Sequence, residues 1–159
     1  SEPDIEAIAY DYYSKYAAKY DDANRSATIS VVDCRKLGPI ADIIKRNRDA
    51  IATLADKMER TYVQKYYQSR YSRNHGIFFD LEDIVIKAGV PESELEALSN
   101  ALEECVTCKF ATPTFLKDLE IQHHSGFSMY LTDPDRTILN SYYTTLEWNK
   151  YTQLIENNE

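Results

Sequence analysis

The sequence predicts an α/β chain in which long helices accompany a few short strands. Apolar residues recur at three- and four-residue spacing over several long segments, which is typical of amphipathic helices. Short β-branched runs such as residues 27–32 lack glycine and proline and therefore predict strands. Because the apolar helix faces outnumber the strands, we expect the chain to complete a sheet that belongs to something larger.

Length, composition and charge narrow the class of protein. The chain has 159 residues, a formal net charge of −8 and 43% hydrophobic residues. These values fit one domain, or one large piece of a bigger protein, and exclude a disordered chain. The acidic balance argues against a nucleic-acid binder, which needs a basic face. The sequence also predicts no membrane span and no signal peptide, unless a signal peptide was removed from a precursor.

The first part of the chain predicts a helix, a strand and a second, longer helix. Residues 4–21 form the first helix, because a single apolar stripe follows its length. Residues 27–32 form the strand, and Asp33 follows where a helix N-cap belongs. A helical tract then runs from about Lys36 to about Tyr71. The predicted stripe of the first helix comprises Ile5, Ile8, Ala9, Tyr12, Tyr13, Tyr16 and Tyr20.

The rest of the chain is divided by recognisable helix ends. Asp80 opens a helix that Gly89 ends, and Pro91 starts the next helix. The later elements are three strands and a final helix, at about 105–110, 119–122, 126–131 and 137–155.

Two features of the composition allow a binding role as well as a purely structural one. The 13 tyrosines either line helix–sheet seams or cover a larger partner. Residues 35–73 hold 10 basic and 4 acidic side chains. We interpret this basic segment as a solvent-exposed helix face whose charge is balanced by nearby carboxylates. The alternative is a binding site for an anion or a membrane surface.

A cysteine nucleophile would need an imidazole beside it. Cys34 follows the strand and Asp33, which is a suitable place for a nucleophile. The candidate histidines are His75, His123 and His124, and none of them is borne on a strand that would present it to Cys34. We therefore predict no catalytic dyad within this chain.

The sequence gives as little support for a metal site as for a catalytic dyad. Zinc would need Cys105, Cys108, His123 and His124 to converge, whereas a β-strand points 105 and 108 to opposite faces. The three cysteines instead predict buried thiols. Calcium could use the acidic turns 21–22 and 133–135, although neither is an EF-hand loop. We expect no catalytic, cofactor-binding or metal residue here, and leave calcium open as a cofactor.

Four passages, in this order, resemble the C-terminal part of the clostripain-like cysteine peptidases. The resemblance covers about residues 5 to 155 and rests on order and spacing more than on any one motif. The passages are 27–33 with Lys36 and Leu37, Phe79–Asp83, Ser125–Leu131, and Tyr143, Leu146, Trp148 and Tyr151.

The resemblance implies the late part of a caspase-like three-layer sandwich followed by a C-terminal α/β region. Residues 1–37 would end the catalytic domain, and residues 38–159 would pack on it. The family cleaves proteins after Arg or Lys with a Cys–His dyad, and its members are often self-processed, secreted or surface-anchored bacterial proteins. The family's dyad lies upstream of the region matched here, so the expected partners are an upstream peptidase chain and basic protein substrates.

Two other functions remain open at this point. One is a stand-alone binding or scaffold module derived from the same fold. The other is an enzyme that uses Cys34 with a histidine from elsewhere in the chain.

Overall fold

Seven helices and six short strands make up the described part of the chain. A computed structural model describes residues 3–17, 26–56, 62–66, 77–115 and 119–155. A 3₁₀ turn, Cys34–Lys36, follows the first strand. The helices are α1 (Ile5–Ala17), α2 (Leu37–Arg46), α3 (Arg48–Ala55), α4 (Leu81–Lys87), α5 (Glu92–Cys105), α6 (Thr137–Thr144) and α7 (Glu147–Thr152). The strands are β1 (Thr28–Val32), β2 (Phe78–Asp80), β3 (Val106–Ala111), β4 (Thr114–Phe115), β5 (Leu119–Glu120) and β6 (Ser128–Tyr130).

The described strands form three antiparallel pairs, β1 with β3, β2 with β6 and β4 with β5. In the longest pair Ile29 lies opposite Phe110, and the register shifts between Val31 and Val32. Val31 pairs with Cys108 and Val32 with Val106, so Thr107 is the extra residue of a β-bulge just before the 3₁₀ turn.

Helix α1 packs on the β1–β3 pair through only one of its faces. Tyr13 stacks on Phe110 with ring centroids 5.2 Å apart, and its hydroxyl donates to the Ala111 carbonyl at 3.3 Å. Ala9, one turn earlier, is buried, whereas Ile8 and Tyr12 are exposed on the adjoining face. The single stripe predicted for this helix is therefore wrong, because its apolar residues divide between a packed and an open face. The side chains of Tyr16 and Tyr20 lie outside the described part.

The main core lies between α2, α3, α4, α5 and β6. Burying each large aliphatic side chain there stabilises the fold by about 1.5–3 kcal/mol, before the loss of conformational entropy. The fully or nearly fully buried aliphatic residues of this core include Ile40, Ile43, Ile44, Ile51, Leu54, Leu81, Ile84, Val85, Leu98, Leu102 and Leu131.

The long helix predicted from Lys36 to Tyr71 is wrong. Helix α2 ends at Asn47, whose side-chain amide donates to the Ile43 carbonyl at 2.9 Å and to the Glu94 carboxylate at 3.0 Å. Such a side chain competes with the helical backbone for its partners. Helix α3 then stops at Ala55, and Lys65 instead forms a β-bridge with Phe79. Residues 57–61 and 67–76, with the predicted polar connection that includes His75, lie outside the described part.

The final helix is also interrupted, which corrects the prediction of one helix over 137–155. Leu146 is extended, with φ −73° and ψ 141°, and separates α6 from α7. The hydroxyls of Thr144 and Thr145 donate to the Ser141 and Tyr142 carbonyls at 2.8 and 2.7 Å. These bonds occupy carbonyls of the last turn of α6 and so favour a stop there.

The predicted helix ends are confirmed. Asp80 caps α4, Gly89 follows it with φ +71°, and α5 begins directly after Pro91. Strand β1 also lies where predicted, whereas β2 and β4 were not predicted. No helix in the described ranges combines the length and the apolar character that a membrane crossing requires.

Candidate functional site

Cys34 opens the 3₁₀ turn after β1 and is exposed, so the prediction of a buried thiol is wrong for this residue. The Asp33 carboxylate caps the turn, accepting from the Arg35 backbone N–H at 3.1 Å and from its guanidinium at 2.9 Å. These hydrogen bonds lower the pKa of Asp33 from 3.8 to about 2. The Arg35 guanidinium is thereby held by Asp33 rather than by the thiol.

The two described histidines have partners other than Cys34. His123 Nε2 lies 3.6 Å from the Asp83 carboxylate, and the His124 ring contacts Tyr66 edge-on at 5.2 Å between centroids. Burial, followed by the charge of Lys109, lowers the pKa of His124 below 6.5. His75, the third candidate, lies outside the described part.

The residues that were considered and set aside as metal ligands lie in different surroundings. Cys105 is buried at the end of α5 and Cys108 is half-buried on β3. Asp133 accepts from the backbone N–H of Asp135 at 3.1 Å, which makes this acidic segment an ordinary Asx turn. Across the described ranges no three His, Cys, Asp or Glu side chains are grouped so that they could hold a metal ion. The acidic pair 21–22 lies outside these ranges.

A buried polar network around Asp80 was not predicted from the sequence. One Asp80 oxygen accepts the Asp83 backbone N–H at 2.9 Å, which caps α4. The other accepts both the backbone N–H and the hydroxyl of Ser125, each at 2.7 Å. The Tyr66 hydroxyl donates to the same oxygen. Burial, together with the Asp80 charge, raises the pKa of Tyr66 well above its ordinary value.

Gln64 extends this network to a third segment. Its backbone N–H donates to Asp83 at 2.7 Å, and its side-chain oxygen accepts the Gln122 backbone N–H at 2.9 Å. Asp83 is only 1% exposed, and its second oxygen has no hydrogen-bond partner. Because its partners are mostly backbone groups, the network fixes segments relative to one another and presents no free nucleophile.

The open side of α1, made of Ile5, Ile8 and Tyr12, is called the docking face below. Ile5 and Ile8 remain 58% and 59% exposed on a helix whose other side is packed on β3. Contiguous apolar side chains on a surface mark sites of interaction. Strand β1 lies beneath the same helix, every one of its residues is only half-buried, and within the described ranges it pairs with β3 alone.

A second apolar feature is an open groove of about 520 Å³ along the start of α6, lined by residues 135–139 and Tyr142. Ile138 on its rim is 87% exposed. The groove is shallow and contains one carboxylate and one guanidinium, from Asp135 and Arg136.

Small antiparallel sheets with helices packed on them define the described part of the chain as an α/β fold. No family model matches the sequence, and no curated protein matches it either. Solved protease structures do match it. An inactive zymogen C11 protease from Parabacteroides distasonis superposes with a TM-score of 0.74 and 22% identity, over 92% of this chain and 42% of that chain.

Two further structures match over 91% of this chain. A clostripain from Bacteroides thetaiotaomicron, in complex with a peptide inhibitor, has a TM-score of 0.67 and 23% identity, over 62% of its own chain. A B. fragilis cysteine protease has a TM-score of 0.62 and 18% identity, over 63% of its chain.

These likenesses show that the chain has the fold of one part of the clostripain-like cysteine proteases. The predicted α/β, caspase-like class and the resemblance are thus confirmed at the level of the fold. The chain spans less than two thirds of the length of each matched protein.

Proposed function

We propose that this chain is the non-catalytic C-terminal portion of a clostripain-like cysteine endopeptidase. In this proposal the Cys–His dyad lies on the part of the protease that precedes the matched portion, and the present chain packs against that part. The observation that supports the proposal most directly is the docking face, because Ile5 and Ile8 stay exposed on a helix that is already packed on its other side.

The exposed residues of the docking face can form the apolar centre of an interface. Each isoleucine contributes about 1.5–3 kcal/mol when it is fully buried. Stable interfaces have an apolar centre of this kind surrounded by polar residues, and α1 supplies such polar groups in Asp11 and Lys15, which pair with each other.

Strand β1 supports the same arrangement. Its sequence is rich in β-branched residues, and strands buried on both faces have this composition. Its half-buried state leaves room for a further strand or layer from the catalytic part. Residues 1–37 would then belong with the catalytic domain and residues 38–159 with the appended region, the two being joined by the β1–β3 pair.

Cleavage after Arg or Lys is the specificity that we propose for the assembled protease. The net charge of −8 favours the approach of basic protein substrates. The inhibitor bound to the Bacteroides thetaiotaomicron clostripain, BTN-VLTK-AOMK, contains a lysine. The neighbours also include a zymogen, and we propose a bacterial enzyme that is activated by self-processing and is secreted or held at the cell surface.

The proposal is tested by purifying the whole protein from its source and identifying its chains by native mass spectrometry. We expect this chain in a one-to-one complex with the polypeptide encoded immediately upstream, which carries a cysteine and a histidine. Ile8→Asp should weaken this complex at least tenfold. Ile138→Asp, at an isoleucine that is even more exposed but lies on α6, is the matched control and should leave the complex intact. A monomer without that upstream polypeptide, or equal effects of both substitutions, would refute the proposal.

The alternative is a stand-alone binding module, and the closed core of the region after residue 37 favours it. Ile40, Ile44, Leu81 and Ile84 are all fully buried without help from another chain. A module of this kind would melt cooperatively as a monomer and would not associate through α1.

A further inference from the structure

We propose that Cys34 and Cys105 form a reversible disulfide, which makes them a redox-modification site that fastens the 3₁₀ turn to the end of α5. The inference concerns two residues of this chain alone and does not depend on the proposed function.

The backbone places the two cysteines side by side. The Asp33 N–H donates to the Cys105 carbonyl at 2.8 Å, and the Cys105 thiol donates back to the Asp33 carbonyl at 3.5 Å. A peptide oxygen lies about 2.8 Å from the next Cα, so the 3.5 Å contact places the Cys105 sulfur at most about 6.3 Å from the Cys34 Cα. The proposed bond requires the exposed Cys34 side chain to rotate toward Cys105 and the 3₁₀ turn to move until the two Cα atoms lie roughly 4.4–6.8 Å apart.

The surroundings give the two thiols different roles. Cys34 is exposed and open to a dissolved oxidant, whereas Cys105 is 0% exposed. Burial raises the pKa of Cys105, and negative charge on Cys34 or Asp33 raises it further. Cys34 is thus the group that reacts first, and Cys105 resolves the product.

Glutathione disulfide is a suitable oxidant for this exchange. The Cys34 thiolate attacks one of its sulfurs, which forms a mixed disulfide and releases one glutathione thiolate. Cys105 then loses its proton and attacks the Cys34 sulfur, which forms the Cys34–Cys105 bond and releases the second glutathione thiolate. Two protein thiols are oxidised and one glutathione disulfide is reduced to two thiols.

Cys108 provides the internal control. Cys108 is half-buried on β3 opposite Val31, and burial raises its pKa as it does that of Cys105. Unlike Cys105, however, Cys108 does not contact the Asp33 carbonyl. A Cys34–Cys105 bond would close a loop of about 70 residues, and a loop of this length restricts the unfolded chain strongly.

The test treats the 159-residue chain with glutathione disulfide, blocks the remaining thiols and maps the peptides by mass spectrometry. Since Cys105 and Cys108 share one tryptic peptide, the map is repeated on Cys108→Ser. After oxidation, we expect the Cys108→Ser variant to have lost the mass of two hydrogens and to yield a peptide cross-linked through Cys34. The oxidised variant should also melt about 5 °C or more above its reduced form. Dithiothreitol should reverse each of these changes.

Three outcomes would overturn the inference. They are a mixed disulfide that persists on Cys34 of the wild-type chain, a Cys34–Cys108 bond identified by fragmentation of the wild-type peptide, and an intermolecular dimer through Cys34. Fragmentation of the wild-type cross-linked peptide distinguishes Cys105 from Cys108, so the inference stays testable even if Cys108→Ser fails to fold.

Discussion

Asp80 and Ser125 are 45 residues apart in sequence and are joined by two hydrogen bonds of 2.7 Å, from the Ser125 backbone N–H and from its hydroxyl. Both residues are buried, and the same carboxylate caps α4. One side chain thereby fixes the start of a core helix and the segment that leads into β6.

Asp80→Ala should lower the free energy of unfolding by about 3–5 kcal/mol, because it leaves several buried donors without an acceptor and removes a helix cap. Urea unfolding followed by circular dichroism measures this change. Glu82→Ala, in the first turn of the same helix but only half-buried, is the control and should cost less than about 1 kcal/mol. Equal losses in the two variants would show that the network contributes little.

Gly126→Ala should destabilise the fold by about 2 kcal/mol or more. Gly126 has φ +87°, and an added Cβ would lie 2.7 Å from Val106 Cγ1. Gly38→Ala is the matched control, since Gly38 lies in the first turn of α2 and, apart from its chain neighbours and its own helix, nothing lies within 4 Å of an added Cβ. Because Pro39 follows and restricts a preceding residue that has a Cβ, this change should alter the free energy of unfolding by less than about 1 kcal/mol. Thermal melts of both variants measure the contrast, and a tolerated Gly126→Ala would contradict the close packing on Val106.

Arg35→Gln should raise the pKa of Asp33 from about 2 toward its ordinary value of 3.8, because the hydrogen bonds from Arg35 are the main cause of the shift. Since the folded pKa lies below the unfolded one, the pair stabilises the fold above pH 3.8, and this contribution is lost as the pH falls to about 2. Carboxyl carbon NMR titration measures the pKa. Arg46→Gln, at a guanidinium paired with Glu94 instead, should leave Asp33 unchanged.

His124 should titrate below 6.5, because its burial disfavours the charged imidazolium. Its folded pKa is lower than its unfolded pKa, so it destabilises the fold progressively as the pH falls from 6.5 through the folded value. Imidazole proton NMR follows the titration. Lys109→Gln should raise this pKa, whereas Lys87→Gln, on α4, should not. A His124 pKa at or above 6.5 in the wild-type chain would contradict the burial of the ring.

Local signals in the sequence predicted the ends of elements well. Asp80 and Gly89 mark the limits of α4 because a side-chain cap and a positive φ are properties of single residues. Strand β1 was predictable because its β-branched run has no competing helical period.

The interruptions of the long helices depend on tertiary contacts and were missed. Asn47 ends α2 partly through Glu94, which lies 47 residues later on α5. Gln64 likewise joins Asp83 and Gln122, at separations of 19 and 58 residues. Apolar periodicity contains no information on such pairings, so the polar network could not be predicted from it.

The most direct test of a dyad outside this chain is active-site labelling of the whole protein. A peptide that ends in lysine and bears a thiol-reactive group is added, and the labelled cysteine is located by mass spectrometry. We expect the label on a cysteine outside residues 1–159, with Cys34, Cys105 and Cys108 unlabelled and activity unchanged in Cys34→Ser. A label on Cys34, together with loss of activity in Cys34→Ser, would place the nucleophile in this chain and contradict the proposed division of roles.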